Sequence, residues 1–237
     1  MQSRKITFSC ATAVLIMLLT GCGATDSPGN NDTGDINIQD SESVTDIDGN
    51  VYRTITIGSQ TWMAENLKTT QFNDGQPIPN VTGNSQWENL STPAYCWYNN
   101  DVQNKETCGA LYNWYAVNTN RLAPEGWHVP TAEEWITLIN YLGGENIAGG
   151  KLKETGTQHW LAPNTGATNE TGFSAIGAGV RDNIFMLILE DSYIWTASRE
   201  SGNYGLPYQV HLKFNHQRAP LYTMQPYSGF AVRCIRD

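Results

Sequence analysis

The side chains most able to do chemistry in this 237-residue chain are three downstream cysteines, Cys96, Cys108 and Cys234, and four histidines, His128, His159, His211 and His216. Zinc sites need thiolates and imidazoles at short repeated spacings, such as CxxC pairs or HExxH on one helix face. No such spacing occurs, so the three thiols point to a single disulfide at most, in an export compartment where one is permitted. The residues alone leave three single bridges open. Cys96–Cys234 would close a long loop, and Cys96–Cys108 a short one. His211 alternates with Val210 and Leu212 in a strand-like run, and all four histidines read as surface or strand residues. GxSxG, P-loop and dinucleotide fingerprints are absent. Glu133-Glu134 stands where carboxylates favour a helix N-terminus, not at the separation of a general acid–base pair. No catalytic residue is expected, and the chain reads as a non-enzyme.

One cysteine has a different chemistry. Arg4 and Lys5 precede an apolar stretch, Cys10 to Leu19, which is about half the length needed to span a bilayer. Leu19-Thr20-Gly21-Cys22 follows and resembles the bacterial lipobox, in which the cysteine thiol takes the lipid. Residues 1–21 therefore read as a lipoprotein signal peptide and Cys22 as the lipidation site. Residues 22–43 read as the lipidated Cys plus a flexible acidic tether, because they hold five acidic residues, no basic one and no aromatic one. Cleavage would remove two positive charges and no negative one. A remainder more acidic than the full chain is not drawn to anionic lipid headgroups, so the lipid is the expected membrane anchor. The expected location is the bacterial cell envelope, at the outer membrane. The formal net charge of -9 argues against a nucleic-acid partner.

The remaining polar candidates lie on a Gly-, Asn- and Thr-rich stretch from Gly149 to Asp182 that has no sustained periodicity. Long irregular segments inside a domain are uncommon and often functional. Asn164, Asn169, Glu170, Arg181, Asp182 and Trp195 are the ligand-binding candidates. Aromatic faces stack on sugar rings, and Asn, Asp and Glu hydrogen-bond hydroxyls or hold Ca²⁺, the one cofactor considered. The opposing readings are Asn in tight turns, an Arg181–Asp182 ion pair, and Trp195 as core. The favoured function is a non-catalytic binding domain for glycans or surface polymers. The alternatives are a scaffold docking another envelope protein and, less favoured, a polymer-acting hydrolase.

The elements that must position these residues lie in 44–237, which holds all eight Trp. Asp48-Gly49-Asn50 between two β-rich runs predicts a hairpin. Val51, Arg53, Ile55 and Ile57 should share one strand face, and Tyr52, Thr54 and Thr56 the other. Leu111, Trp114 and Tyr115, at i, i+3 and i+4, predict a helix over Gly109 to Val117. Thr131-Ala-Glu-Glu134 is a capping box after Pro130, with Gly143-Gly144 as the stop, and Trp135, Leu138, Ile139 and Leu142 form the buried stripe. Strands are predicted at Tyr193 to Ala197, Tyr208 to Phe214 and Gly229 to Ile235. Two helices between β elements at both ends make an α+β fold with mostly antiparallel sheets and long irregular loops.

Several of these stretches together resemble the Fibrobacter succinogenes major paralogous domain family, a set of secreted and lipid-anchored bacterial proteins. They are Asp48-Gly-Asn-Val-Tyr52, Ile57-Gly-Ser-Gln-Thr-Trp-Met-Ala-Glu-Asn-Leu67, Gly109-Ala-Leu-Tyr-Asn-Trp-Tyr-Ala-Val117, Ala123-Pro-Glu-Gly-Trp-His-Val-Pro-Thr131, Glu134-Trp135, Gly149-Gly-Lys-Leu-Lys-Glu154, Asn169-Glu-Thr-Gly-Phe173 and Val232-Arg-Cys-Ile-Arg-Asp237. The resemblance covers nearly all of 44–237, brings no established activity, and implies Cys96–Cys234 as the bridge. More distantly, Pro130 to Trp135 and Gly229 to Arg233 are similar to formylglycine-generating-enzyme-like domains, which implies a C-type-lectin-like topology. The oxidising enzymes of that superfamily use a cysteine pair near the C-terminal part. Here Cys234 stands alone, so that activity is not expected.

Overall fold

Strand-forming runs at both ends of the chain meet in one sheet. The computed structural model describes residues 42–202 and 205–237. The signal segment, Cys22 and the tether to residue 41 lie outside the described residues. The strands are β1 (Ser43–Thr45), β2 (Val51–Ile57), β3 (Gln60–Met63), β4 (Tyr95–Cys96), β5 (Leu111–Tyr112), β6 (Trp127–His128), β7 (Ala178–Arg181), β8 (Phe185–Ile188), β9 (Asp191–Arg199), β10 (Pro207–Lys213), β11 (Leu221–Thr223) and β12 (Ile235–Arg236). The helices are α1 (Asn84–Trp87), α2 (Lys105–Cys108), α3 (Trp114–Val117), α4 (Ala132–Tyr141) and α5 (Glu145–Leu152). One sheet has the order β1-β2-β3-β12-β6, a second β11-β10-β9-β7-β8, and β4 pairs with β5. Only β7 and β9 run parallel among these strand pairs. The fold is α+β and mostly antiparallel, as the sequence predicts.

The hairpin forms where the turn residues place it. Asp46 Oδ1 accepts from Asn50 N at 2.9 Å, and Asp46 Oδ2 accepts from the Tyr52 hydroxyl at 2.6 Å. Along β2 the buried side changes at mid-strand: Tyr52 and Thr54 are buried on one face and Ile55 and Ile57 on the other, with Val51, Arg53 and Thr56 exposed. Tyr52 joins one core with Met63, Leu67, Tyr112 and Phe230. Ile55 and Ile57 point to a second core with Trp62, Trp135, Leu138 and Ile139, under α4. Trp62, Trp135 and Phe173 pack as an aromatic trio, with centroids 4.7, 5.8 and 5.7 Å apart. Area burial and edge contacts of this kind dominate core energetics.

The predicted capping box is present: Thr131 Oγ1 accepts from Glu134 N, and Glu134 Oε2 accepts from Thr131 N. The predicted helix over 109–117 does not form as such. Leu111 and Tyr112 pair with β4, and the Asn113 side chain accepts from Ala116 N to cap the short α3. Asn113 Oδ1 also accepts from Ala94 N, so the asparagine splits the run into strand and helix.

The stretch from Gly149, read as irregular, opens with the second half of α5. Gly149 and Gly150 sit inside this helix because backbone runs against them: a Cβ would meet Arg218 O at 2.2 Å or Gly166 O at 2.3 Å. Buried Lys153 then ties the segment down by donating to the carbonyls of Thr165, Lys213 and His216 at 2.9–3.0 Å. Burial pulls its ammonium down to about 8.

The disulfide is corrected. Cys96, Cys108 and Cys234 are all free and buried. They belong to three different clusters: Cys96 with Trp87 and Leu111, Cys108 with Ile176 and Ala178, and Cys234 with Tyr52 and Met63. Burial raises the Cys96 and Cys108 thiols to about 11 and the Cys234 thiol further, so none is a poised nucleophile.

His128 lies between two carboxylates, with Nδ1 2.6 Å from Asp237 and Nε2 2.9 Å from Glu134. Burial opposes its charge, but the two hydrogen-bonded carboxylates outweigh burial and raise its pKa. A raised folded pKa adds stability that is fully present below the unfolded value, about 6.5, and is lost as pH rises through the folded value. The ring is more than a third exposed, so screening limits the effect to about 1 kcal/mol or less. Urea titrations should show His128→Gln destabilised by that amount near pH 6 and the gap narrowing as the pH rises above the unfolded value.

Candidate functional site

A cleft of about 410 Å³ opens where five separate stretches of chain meet. Arg53 of β2 and Glu65, Asn66 and Lys68 after β3 form one side. Glu106 and Thr107 of α2 close one end. Glu154, Gln158, His159, Ser174 and Ile176, from the long segment after α5, form the opposite wall, and Arg233 lies at the floor. Ala64 and Ile176 are the only aliphatic residues in the lining.

The floor is built from core contacts outward. Phe173 is anchored in the aromatic trio, and the Arg233 guanidinium stacks on its ring, 4.3 Å from the centroid. Arg233 Nε donates to Asn66 Oδ1 at 2.9 Å, Nη2 to Ser174 O at 3.0 Å, and Nη1 to Phe173 O. Asn66 Nδ2 in turn donates to Cys108 O at 2.8 Å. Among the described residues no carboxylate lies within ion-pairing distance of Arg233. Burial lowers the guanidinium's pKa, yet arginine keeps its proton at neutral pH.

The close approach of Asn66 to the turn after α2 requires a residue without Cβ. Gly109 has φ 72°, and a Cβ there would meet Asn66 Cβ at 2.7 Å and Leu67 O at 2.8 Å. Gly109→Ala should therefore cost about 3 kcal/mol through backbone strain and overpacking, read by urea unfolding.

Above the floor, the charged and polar groups are already paired. Arg53 Nε stands 3.6 Å from Glu65 Oε1, Lys68 Nζ 2.5 Å from Glu106 Oε2, and His159 Nδ1 2.8 Å from Glu154 Oε2. The hydrogen bond from Lys68 holds the Glu106 carboxyl below the usual range. Such a lining presents fixed hydrogen-bond donors and acceptors at close quarters.

None of the six residues singled out from the sequence lines this cleft. Asn164 and Asn169 brace its wall from behind. Asn164 Nδ2 donates to Glu154 O and Gly156 O, both at 2.8 Å. Asn169 Oδ1 accepts from Ser174 N at 2.8 Å, and its Nδ2 donates to Ser174 Oγ at 2.9 Å. Glu170 pairs with Lys151 at 2.9 Å. Arg181 is fully buried between Trp87 and Phe185 and donates to Val81 O and Thr82 O. Asp182 lies in a separate cleft of about 380 Å³ with Glu88, Tyr227 and Ser228, and accepts from Ser228 Oγ at 2.5 Å. Trp195 is fully buried, with Nε1 donating to Tyr112 O. All eight Trp are buried, so no indole face is open for a sugar ring. The tryptophan-platform idea is corrected: these rings build cores.

Sequence reading missed Glu65, Lys68, Glu106, Glu154 and Arg233 as a group, because no local spacing links them. His159 lines the cleft rather than standing as an ordinary surface histidine. Among the described residues no group of three or more His, Cys, Asp or Glu could hold a metal ion. Asp48, the other acid of the hairpin turn, accepts from Thr70 and Gln71.

The model of one protein family, described as the Fibrobacter succinogenes major domain, matches residues 55–236. No curated protein matches the chain, and no solved structure does.

Proposed function

Since the chain belongs to the Fibrobacter succinogenes major domain family, we propose that its domain is a non-catalytic binding module of the bacterial cell envelope, held at the outer membrane by a lipid on Cys22. In this reading the polar cleft takes a segment of a glycan or other surface polymer. The observation that carries it is the lining itself: two ion pairs, a His159–Glu154 hydrogen bond and a buried guanidinium around a volume suited to a small ligand or polymer segment. Recognition rests on hydrogen bonds rather than on stacking, since the indoles are enclosed.

Non-catalysis is supported by the state of the groups present. The Ser174 hydroxyl is engaged by Asn169 and Gly172 O, the thiols are buried with raised pKa values, and the cleft's acids are paired. A C-type-lectin-like topology is supported by the pairing of β12 between β3 and β6 in the sheet that holds β1, by two successive helices, and by the long segment that follows them.

The test is retention of the detergent-solubilised full chain on envelope polysaccharide and cell-wall preparations. Binding that weakens at least tenfold in Lys68→Gln or Glu154→Gln supports the reading. Equal binding by parent and variants, or release only with a co-purifying envelope protein, contradicts it.

A further inference from the structure

The cleft's charges narrow the chemistry of its occupant, an inference that rests on the polymer-binding reading above. Three carboxylates, Glu65, Glu106 and Glu154, share the lining with Arg53, Lys68 and Arg233. A neutral oligosaccharide entering this lining strips water from the ion pairs and returns only hydrogen bonds, whereas an occupant with charges of both signs returns charge to both sets. An occupant of one sign satisfies one set and is opposed by the other.

Arg233 adds a direction. Its charge is buried, met only by an amide oxygen and two carbonyls, and two of its five N–H groups are left after the bonds to Asn66, Phe173 and Ser174. A guanidinium in that state is best completed by a carboxylate, which accepts two parallel N–H bonds. An ammonium at the wall would share the Glu carboxylates with their present partners, Arg53, Lys68 and His159.

We propose that the cleft binds a short peptide segment carrying both a free carboxylate and a free ammonium group, the carboxylate directed to Arg233 and the ammonium to the Glu side chains. Peptide-bearing wall polymers carry such groups.

The experiment is calorimetric titration of the full chain at low salt with three probes: a lysine-containing tetrapeptide with free ends, the same peptide capped by acetylation of both amines and by C-terminal amidation, and a neutral oligosaccharide of similar size. The free peptide should bind, capping should weaken it at least tenfold, and raised salt should weaken the free form alone. In Glu106→Gln, which removes one exposed carboxylate of the lining, the penalty of capping should shrink severalfold. Equal affinity for free and capped peptide, or binding of the oligosaccharide alone, overturns this inference and leaves polymer binding standing. Failure of all three probes overturns the inference, and the retention assay on whole envelope polymers then decides the broader reading.

Discussion

Arg233→Met should be the most damaging conservative change in the domain, lowering unfolding stability by about 4 kcal/mol in urea titrations. The substitution keeps the stem but removes three donors from a buried site. Asn66 Oδ1, Phe173 O and Ser174 O would each lose a partner. Orphaned buried acceptors cost about 1–3 kcal/mol each, and part of that is returned because the buried charge also disappears. The net loss stays large because these acceptors belong to two separate stretches of chain, which Arg233 ties to a third. Arg233→Lys should recover little, since one ammonium cannot reproduce the fork that reaches Asn66, Phe173 and Ser174.

Phe173→Ala should cost about 3–5 kcal/mol, the range for removing an enclosed aromatic ring. Phe173 is fully buried against Trp62 and Trp135 and lies under the Arg233 guanidinium. Its loss opens a void between α4 and the sheet and frees the Ser174 wall of the cleft. Because the two side chains touch, the double variant Arg233→Met/Phe173→Ala should fall short of the sum of the single losses by at least about 0.5 kcal/mol. Strict additivity would show that ring and guanidinium act independently.

The parts of the fold legible in the sequence are those set by neighbours a few residues apart. The Asp48-Gly49-Asn50 turn and the Thr131–Glu134 cap are completed within six residues, and both form. The helix expected over 109–117 rested on the spacing of Leu111, Trp114 and Tyr115, but β4 and the Asn113 side chain compete for the same backbone. The helix α5 was hidden by Gly149-Gly150, which weaken an isolated helix but let the Arg218 and Gly166 carbonyls approach. Tertiary contact decides there, and no local signal reports it.

The site was less legible for the same reason. Its charges come from β2, the stretch after β3, α2, the segment after α5 and the stretch before β12, and adjacency appears only on folding. Several stretches behind the family resemblance do converge on the floor: Asn66, Gly109, Phe173 and Arg233 each come from a different one. The Asn residues flagged in the long segment were near the site, but as braces of its wall.

The most direct test of the binding account is an amide NMR titration of the labelled protein with solubilised fragments of cell-wall polymer. The account predicts shifts concentrated at Lys68, Glu106, His159 and Ser174, saturating together with one affinity. Shifts gathered instead around Asp182, Tyr227 and Ser228, or no saturable shift, would contradict it.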